Sequence, residues 1–135
     1  MAYINEYFEI EQVSPQHMDM LWARGWRHFG GFFFRYERLV TKQGTRTVMP
    51  LRIELSNFSL SKSQKRILKK NNDLTTTIQD AVIDQPKKEI FQRHKTRFTE
   101  NVPDSLHTFL GGQPAQIPCH TQEVCLFDQN SNNGP

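Results

Sequence analysis

The chain has 135 residues, a formal net charge of +3 and 36% hydrophobic residues, which predicts one domain with one core over residues 1–135. No apolar run approaches the roughly 20 residues of a membrane helix, and the N-terminus lacks the basic and apolar segments of a signal peptide. We therefore expect a cytoplasmic protein with no membrane partner. The net charge is too small to indicate nucleic-acid binding, so only a local cluster of cations can do so.

The first predicted element is a short helix near the N-terminus. It is preceded by residues 1–13, which show no sustained period and are expected to be irregular or weakly strand-like. Ser14 and Pro15 are typical of a helix N-cap and first helical position, and Gly25 is typical of a C-cap. The apolar stripe of this helix, which we expect to lie in the core, consists of Met18, Leu21 and Trp22.

Two strands are predicted next, over residues 28–40 and 47–55. The first, HFGGFFFRYERLV, is dominated by β-forming aromatics, and we expect it to be buried on both faces near its middle. Gly30 and Gly31 indicate either a β-bulge or a close approach of the backbone to a ligand. The polar connector at 41–46 predicts a hairpin with a longer turn.

A basic helix is predicted within residues 57–74, NFSLSKSQKRILKKNNDL. Its five cations recur at i, i+3, i+4, i+7 and i+8, which places them on one face. A Lys-rich helix is often only a solvated surface helix, but such a helix usually carries acids that relieve the like-charge repulsion. This helix has none, so a polyanion such as a phosphate backbone is the natural counter-charge. We define its cationic face as Lys62, Lys65, Arg66, Lys69 and Lys70.

The second half of the chain predicts two further strands and two helices. Residues 75–83 are rich in β-branched residues and predict a third strand. Pro86 begins an amphipathic helix. Residues 106–110 predict a short helix that Gly111 closes, and residues 117–127 predict the last strand.

The segment SKSQKRILKKNNDL at 61–74 resembles the S-[KR]-S-Q-[KR]-R-x-[LI]-[KR]-[KR]-N-x-D-L signature of the arginyl-tRNA–protein transferase family, which includes a bacterial leucyl-transfer branch. Four flanking blocks are similar to the family in its usual order, so that the resemblance covers most of the chain. These blocks are RGWRHFGGFFFRY at 24–36, TVMPLRIEL at 47–55, RHKTRFTENVPDSLHTFL at 93–110 and PAQIPCHTQEV at 114–124.

The resemblance implies a fold and an activity. The fold is a GNAT-like acyltransferase fold, α/β, with a mixed or largely antiparallel sheet and flanking helices. The activity is transfer of arginine or leucine from charged tRNA to the α-amine of proteins that begin with Asp or Glu, in the N-degron pathway. Because the aminoacyl ester is already activated, no ATP is needed, and catalysis rests on orienting the amine and stabilising the oxyanion.

The resemblance also implies where the partners bind. The tRNA-binding residues would be the cationic face together with Ser63, Gln64 and Asn71. Arginines outside the helix either extend this surface, bind an acidic N-terminal side chain bidentately, or are ordinary surface charge. They are Arg24, Arg27, Arg35, Arg46 and Arg52, and the expected substrate-binding residues are Arg27, His28, Arg35 and Arg52. The general base stays open among His28, His94, His107 and His120, each of which also has an ordinary structural interpretation.

No cofactor or metal is expected. Eukaryotic members of the family carry a CxxC element and a cysteine pair associated with a metal or cluster, but residues 25–53 contain no cysteine. Cys119 and Cys125, with His120 between them, are too few for a four-ligand zinc site and are expected to be reduced thiols.

The chain is expected to be the N-terminal portion of such a transferase, with a disordered tail at 128–135. A family member would continue past Val124, so we expect a domain fragment or the product of a frameshift near Asn130. An incomplete sheet would expose an unpaired edge, which favours self-association or a partner chain. The alternative to an active transferase is therefore a catalytically inactive fragment that retains only tRNA or protein binding.

Overall fold

A computed structural model describes residues 4–99 and 102–128 of the chain. Most of the tail expected to be disordered, residues 129–135, lies outside the described residues. The elements, in chain order, are β1 (Asn5–Glu9), α1 (Pro15–Ala23), β2 (Arg27–Phe29), β3 (Phe32–Tyr36), β4 (Arg38–Thr41), β5 (Gly44–Thr47), a 3-10 turn (Leu55–Asn57), α2 (Lys62–Lys70), β6 (Thr75–Asp80), α3 (Gln85–Lys95), α4 (His107–Leu110) and β7 (Gln122–Phe127).

The fold is mixed α/β with small sheets. A three-stranded sheet has the order β1-β3-β2 with both pairs antiparallel, and two further sheets pair β4 with β5 and β6 with β7. The described residues group into two compact units, one within 4–51 and 80–121 and the other within 52–79 and 122–128. The expectation of one domain over the whole chain stays a prediction.

The core of the first unit is built on Phe33. This side chain is fully buried in β3, stacks on Phe8 of β1 at a ring distance of 5.0 Å, and packs against α1 through Met18 and Leu21. The Ser14 Oγ accepts from the His17 N–H at the start of α1, so the predicted N-cap is confirmed. The placement of Trp22 in the core was wrong, because this side chain is 47% exposed.

The prediction of a single strand over residues 28–40 was also wrong. Three strands occupy this stretch, and Gly30–Gly31 forms the tight turn between β2 and β3, where Phe29 pairs with Phe32. Gly30 has φ +53°, a conformation that glycine adopts without the steric cost of a side chain. A two-glycine connection between aromatic runs is a hairpin signal, so neither a bulge nor a ligand contact is needed to explain it.

The segments on either side of this hairpin also differ from expectation. The lead-in contributes β1, because its backbone pairs with β3 from Asn5↔Tyr36 to Glu9↔Phe32. The β4–β5 hairpin has a shorter turn than predicted, with Thr41 opposite Gly44. Only Thr47 of the predicted 47–55 strand lies in a strand, since the chain leaves the β4–β5 ladder after it.

The later elements agree more closely with the sequence. Asp84 caps α3 by accepting from the Lys87 N–H, and Gly111, with φ +71°, follows α4 as a C-cap. A side-chain hydrogen bond from Lys87, with its backbone N–H as the second contributor, holds the pKa of the Asp84 carboxyl below its ordinary value. In the second unit, α2 and β6 lie within the predicted segments, and none of its described residues is buried.

Candidate functional site

The helix α2 is terminated by local contacts at both ends. Ser61 and Gln64 form a reciprocal capping box: the Ser61 N–H donates to Gln64 Oε1 at 2.8 Å, and the Gln64 N–H donates to Ser61 Oγ at 3.3 Å. At the other end, the Asn71 N–H donates to the carbonyls of Ile67 and Leu68. These contacts between neighbouring residues begin and end the helix.

The cationic face of α2 lies in solvent. All five of its cations are exposed, and within the described part of the chain none of them makes an ion pair. Lys69 and Lys70 occupy the last turn, where the helix dipole favours positive charge. Ile67 and Leu68 are more than half exposed as well, at 57% and 59%. The helix therefore presents an array of cations that no acidic side chain of the described residues neutralises.

The three polar residues predicted beside the cationic face have local roles. The amide oxygen of Gln64 is engaged in the capping box, and Ser63 Oγ lies 3.0 Å from Ser61 Oγ. Asn71 is the C-cap residue. Each therefore shapes the helix ends, and a contact with tRNA would be additional to that structural role.

A second candidate site lies at the end of the three-stranded sheet where β2 begins and β3 ends. It is a cleft of about 480 Å³, which we call the arginine cleft, and its charged lining consists of four arginines and one glutamate. Its apolar walls include Ile4, Val48 and Met49. The charged residues that line it are Arg24, Arg27, Arg35, Glu37 and Arg38.

Arg27 is held against aromatic rings in this cleft. Its Cζ lies 4.3 Å from the ring centroid of Tyr36 and 5.1 Å from that of Phe34, within the range of cation–π attraction. Its Nη2 is buried and has no hydrogen-bond partner in the described structure. The side chain is therefore well oriented, but part of its hydrogen-bonding capacity is unused.

Arg35, in contrast, is satisfied by its neighbours. Its Nε donates to Glu6 Oε2 at 2.6 Å, across the register that pairs these two residues in β1 and β3. Its Nη1 donates to the Arg24 carbonyl at 3.2 Å, and its Cζ lies 4.8 Å from the Trp26 ring. Arg35 thus contributes to the wall of the cleft while its charge is already paired.

The structure brings some of the predicted substrate residues together and separates others. Arg27 and Arg35 share the arginine cleft, whereas His28 does not line it: its Nδ1 hydrogen-bonds to the Gly30 carbonyl, and its ring stacks on Phe33. Arg52 belongs to the second unit.

Arg38 is a cleft residue that sequence reasoning missed, and Arg46 is a predicted arginine outside the cleft. The Glu37 carbonyl accepts from the Val48 N–H, a contact 11 positions apart that closes the cleft beside Arg38. Arg46 lies on exposed β5 and donates to Gln43. The only signal for Arg38 in the sequence was its place three residues after Arg35 in one predicted strand, which does not distinguish a cleft residue from a surface one.

The histidines have separate surroundings. His94 packs edge-on against Phe98, and the His107 Nδ1 lies 3.3 Å from the Gly111 carbonyl. His120 Nε2 is hydrogen-bonded to Asp80 Oδ1 at 2.9 Å, and both side chains are well exposed. A carboxylate partner orients an imidazole, but these contacts alone do not choose the general base among the histidines.

Among residues 4–99 and 102–128, no group of three or more His, Cys, Asp or Glu side chains is placed to hold a metal ion. Cys119 and Cys125 are free thiols.

Residues 2–66, about half of the chain, match the family described as arginine-tRNA-protein transferase, N terminus. The match begins before β1 and ends inside α2, so it includes the residues of the arginine cleft and part of the cationic face.

A protein named aspartate/glutamate leucyltransferase, from Helicobacter hepaticus, is 33% identical over 91 residues. That alignment covers 67% of this chain and 36% of the relative, so the chain spans about a third of the relative's length. No solved structure matches the chain. In the described ranges, no helix is long and apolar enough to cross a membrane.

Proposed function

We propose that this chain takes part in the transfer of an amino acid, arginine or leucine, from charged tRNA to the N-terminal α-amine of an acceptor protein. The match of residues 2–66 to the transferase family supports the use of aminoacyl-tRNA and a protein as substrates. The name of the Helicobacter hepaticus relative supports an acceptor that begins with Asp or Glu, as in an N-degron pathway. A GNAT-like core and a cytoplasmic location are part of this proposal.

In the proposed reaction, the neutral α-amine of the acceptor attacks the carbonyl carbon of the aminoacyl ester. A new amide bond forms, the ester C–O bond breaks, and the tRNA leaves with its terminal hydroxyl restored. One proton passes from the amine to the departing oxygen. The protein's part is to position the two substrates and to stabilise the oxyanion that forms between them.

The observation that carries the proposal is the exposed cationic face of α2. Five exposed cations without acidic partners in the described structure form a positive array, for which a phosphate backbone is the natural counter-charge. Each phosphate that a cation neutralises releases a counterion, so the binding constant should fall steeply with salt.

The test is the salt dependence of tRNA binding by two variants of equal charge change. Replacing Lys65, Arg66 and Lys69 by Ala should lower the log–log salt slope by about 2 to 3 units, since each lost phosphate contact removes roughly 0.7–0.9. Replacing Lys88, Arg93 and Arg97 by Ala removes the same charge from exposed sites in and just beyond α3 and should change the slope by less than about one unit. Equal slopes for the two variants would refute the role of α2.

A transfer assay separates the active transferase from the alternative of an inactive binding fragment. Labelled arginine or leucine on tRNA is incubated with the chain and a peptide that begins with Asp. Transfer of label to the peptide supports the proposed activity and names the amino acid. Salt-dependent tRNA binding without transfer supports the fragment that binds only.

A further inference from the structure

Arg27 has the geometry of a ligand-binding arginine. Arg27 is half-buried and lines the arginine cleft, its Nη2 is buried without a hydrogen-bond partner in the described structure, and two rings fix the plane of its guanidinium. A buried hydrogen-bond donor without an acceptor is energetically unfavourable. In contrast, the polar groups of Ser61 and Gln64 in the capping box of α2 are paired although they are exposed. Because Arg27 lines the cleft, an oxygen acceptor that enters it meets this side chain.

The other charges of the cleft narrow the chemistry of the ligand. Arg24 and Arg38 add positive charge, and Arg35 is paired with Glu6. Glu37 places one negative charge in the same lining. A run of phosphates would be repelled by Glu37, whereas a ligand with one carboxylate and one ammonium group complements both signs.

The dimensions of the cleft fit a small group. About 480 Å³ lies within the usual range for small-ligand sites and accommodates one or two amino-acid residues. The walls formed by Ile4, Val48, Met49 and Pro50 are suited to the methylene groups of such residues. Phosphates, in contrast, are expected to bind the larger, exposed array of cations on α2.

We infer that the arginine cleft binds the first residue of an acidic protein N-terminus, with Arg27 contacting the side-chain carboxylate and Glu37 the α-ammonium group before it is deprotonated for reaction. This inference rests on the proposed function, since it names where the acceptor substrate binds. It makes Arg27 a specificity-determining residue. An amide in place of the carboxylate leaves the guanidinium without its charged partner, and this penalty distinguishes Asp from Asn.

The experiment measures binding of labelled peptides to the full chain by fluorescence anisotropy, without tRNA. A peptide that begins with Asp should bind at least tenfold more tightly than its Asn counterpart, and acetylation of its α-amine should weaken it further. Arg27→Met should remove the Asp–Asn difference, and Glu37→Gln should remove the effect of acetylation. Arg93→Met, at an exposed arginine outside the cleft, should leave both differences intact.

Several outcomes would overturn the inference. Equal affinity of the wild-type chain for the Asp and Asn peptides would do so, and this comparison needs no variant. A loss of discrimination in Arg93→Met as large as in Arg27→Met would show a general charge effect. A fall in tRNA affinity in Arg27→Met, with peptide discrimination retained, would show that the cleft takes a phosphate.

Two features keep the test independent of folding and of the proposed function. If Arg27→Met unfolds in a thermal melt, Arg27→Lys replaces it: the charge remains, but the planar fork is lost, and discrimination should fall several-fold. Because the peptides are measured without tRNA, failure of the arginine cleft leaves the salt-slope result for α2 unaffected. Failure of the salt-slope test likewise leaves the peptide result standing.

Discussion

Single residues decide whether two backbone segments of the first unit can approach each other closely. Gly31, in the β2–β3 turn, contacts the residue that follows β1: the Ile10 N–H donates to the Gly31 carbonyl at 2.9 Å. A Cβ at position 31 would stand 2.7 Å from the Ile10 carbonyl oxygen. That atom belongs to the backbone and cannot move aside as a flexible side chain would. Glycine is therefore required here by close approach, a condition that no local pattern shows.

Replacing Gly31 by Ala should destabilise the chain by about 1–3 kcal/mol, because the added methyl forces two backbone segments apart. Thermal or urea unfolding measures this change. Gly112→Ala is the matched control, since a Cβ there meets no heavy atom within 4 Å, and it should alter the free energy of unfolding by less than about 0.5 kcal/mol. Similar losses in both variants would contradict the close-approach argument.

At the scale of elements, the stability of α2 depends on the capping contacts at its ends. No residue of the helix is buried, so tertiary packing contributes little, and a nine-residue helix is marginal on propensity alone. The capping box of Ser61 and Gln64 is then a major part of what holds the cations in register. Such caps depend on neighbouring residues, which explains why the helix could be predicted from sequence.

Ser61→Ala should cost roughly 1 kcal/mol of helix stability by removing the acceptor for the Gln64 N–H. It should also weaken tRNA binding several-fold without changing the charge of the chain, because the cations lose their common alignment. Circular dichroism and tRNA titration measure the two effects. Ser59→Ala, just before the cap, should leave both unchanged, and unaltered tRNA affinity in Ser61→Ala would show that the helix order is not needed for binding.

At the scale of the whole molecule, burial is distributed unevenly. The first unit contains the buried cluster of Val13, Met18, Leu21 and Phe33. The described residues of the second unit are exposed or half-buried, and β6 is exposed along its whole length. The three-stranded sheet also leaves β1 and β2 as its outer strands, so self-association through an open edge stays a prediction.

Amide hydrogen exchange should report this difference directly. Protection follows the free energy of local opening, which is greater where backbone bonds are covered by buried apolar groups. The amides of β3, around Phe33, should therefore exchange more slowly than those of β6. Equal protection in the two strands would show that the second unit gains stability that its exposed surface does not explain.

The sequence by itself determined the features that depend on neighbours along the chain. The cap at Ser14, the cationic spacing of α2 and the resemblance to the transferase family could all be read from short segments, because a helix end or a signature is local. Gly30–Gly31 was also readable as a turn, and the prediction of one continuous strand came from weighting the aromatic run above the two glycines.

Tertiary structure alone decided the features that join distant segments. Trp22 satisfies the same helical spacing as Leu21 yet lies exposed, because the position of the sheet determines which part of α1 is covered. Arg27 meets Tyr36 only through the β2–β3 register, and Arg38 meets the cleft only through the contact between Glu37 and Val48. Strand register and loop closure depend on contacts between residues far apart in sequence, so the arginine cleft had no signature that could be read along the chain.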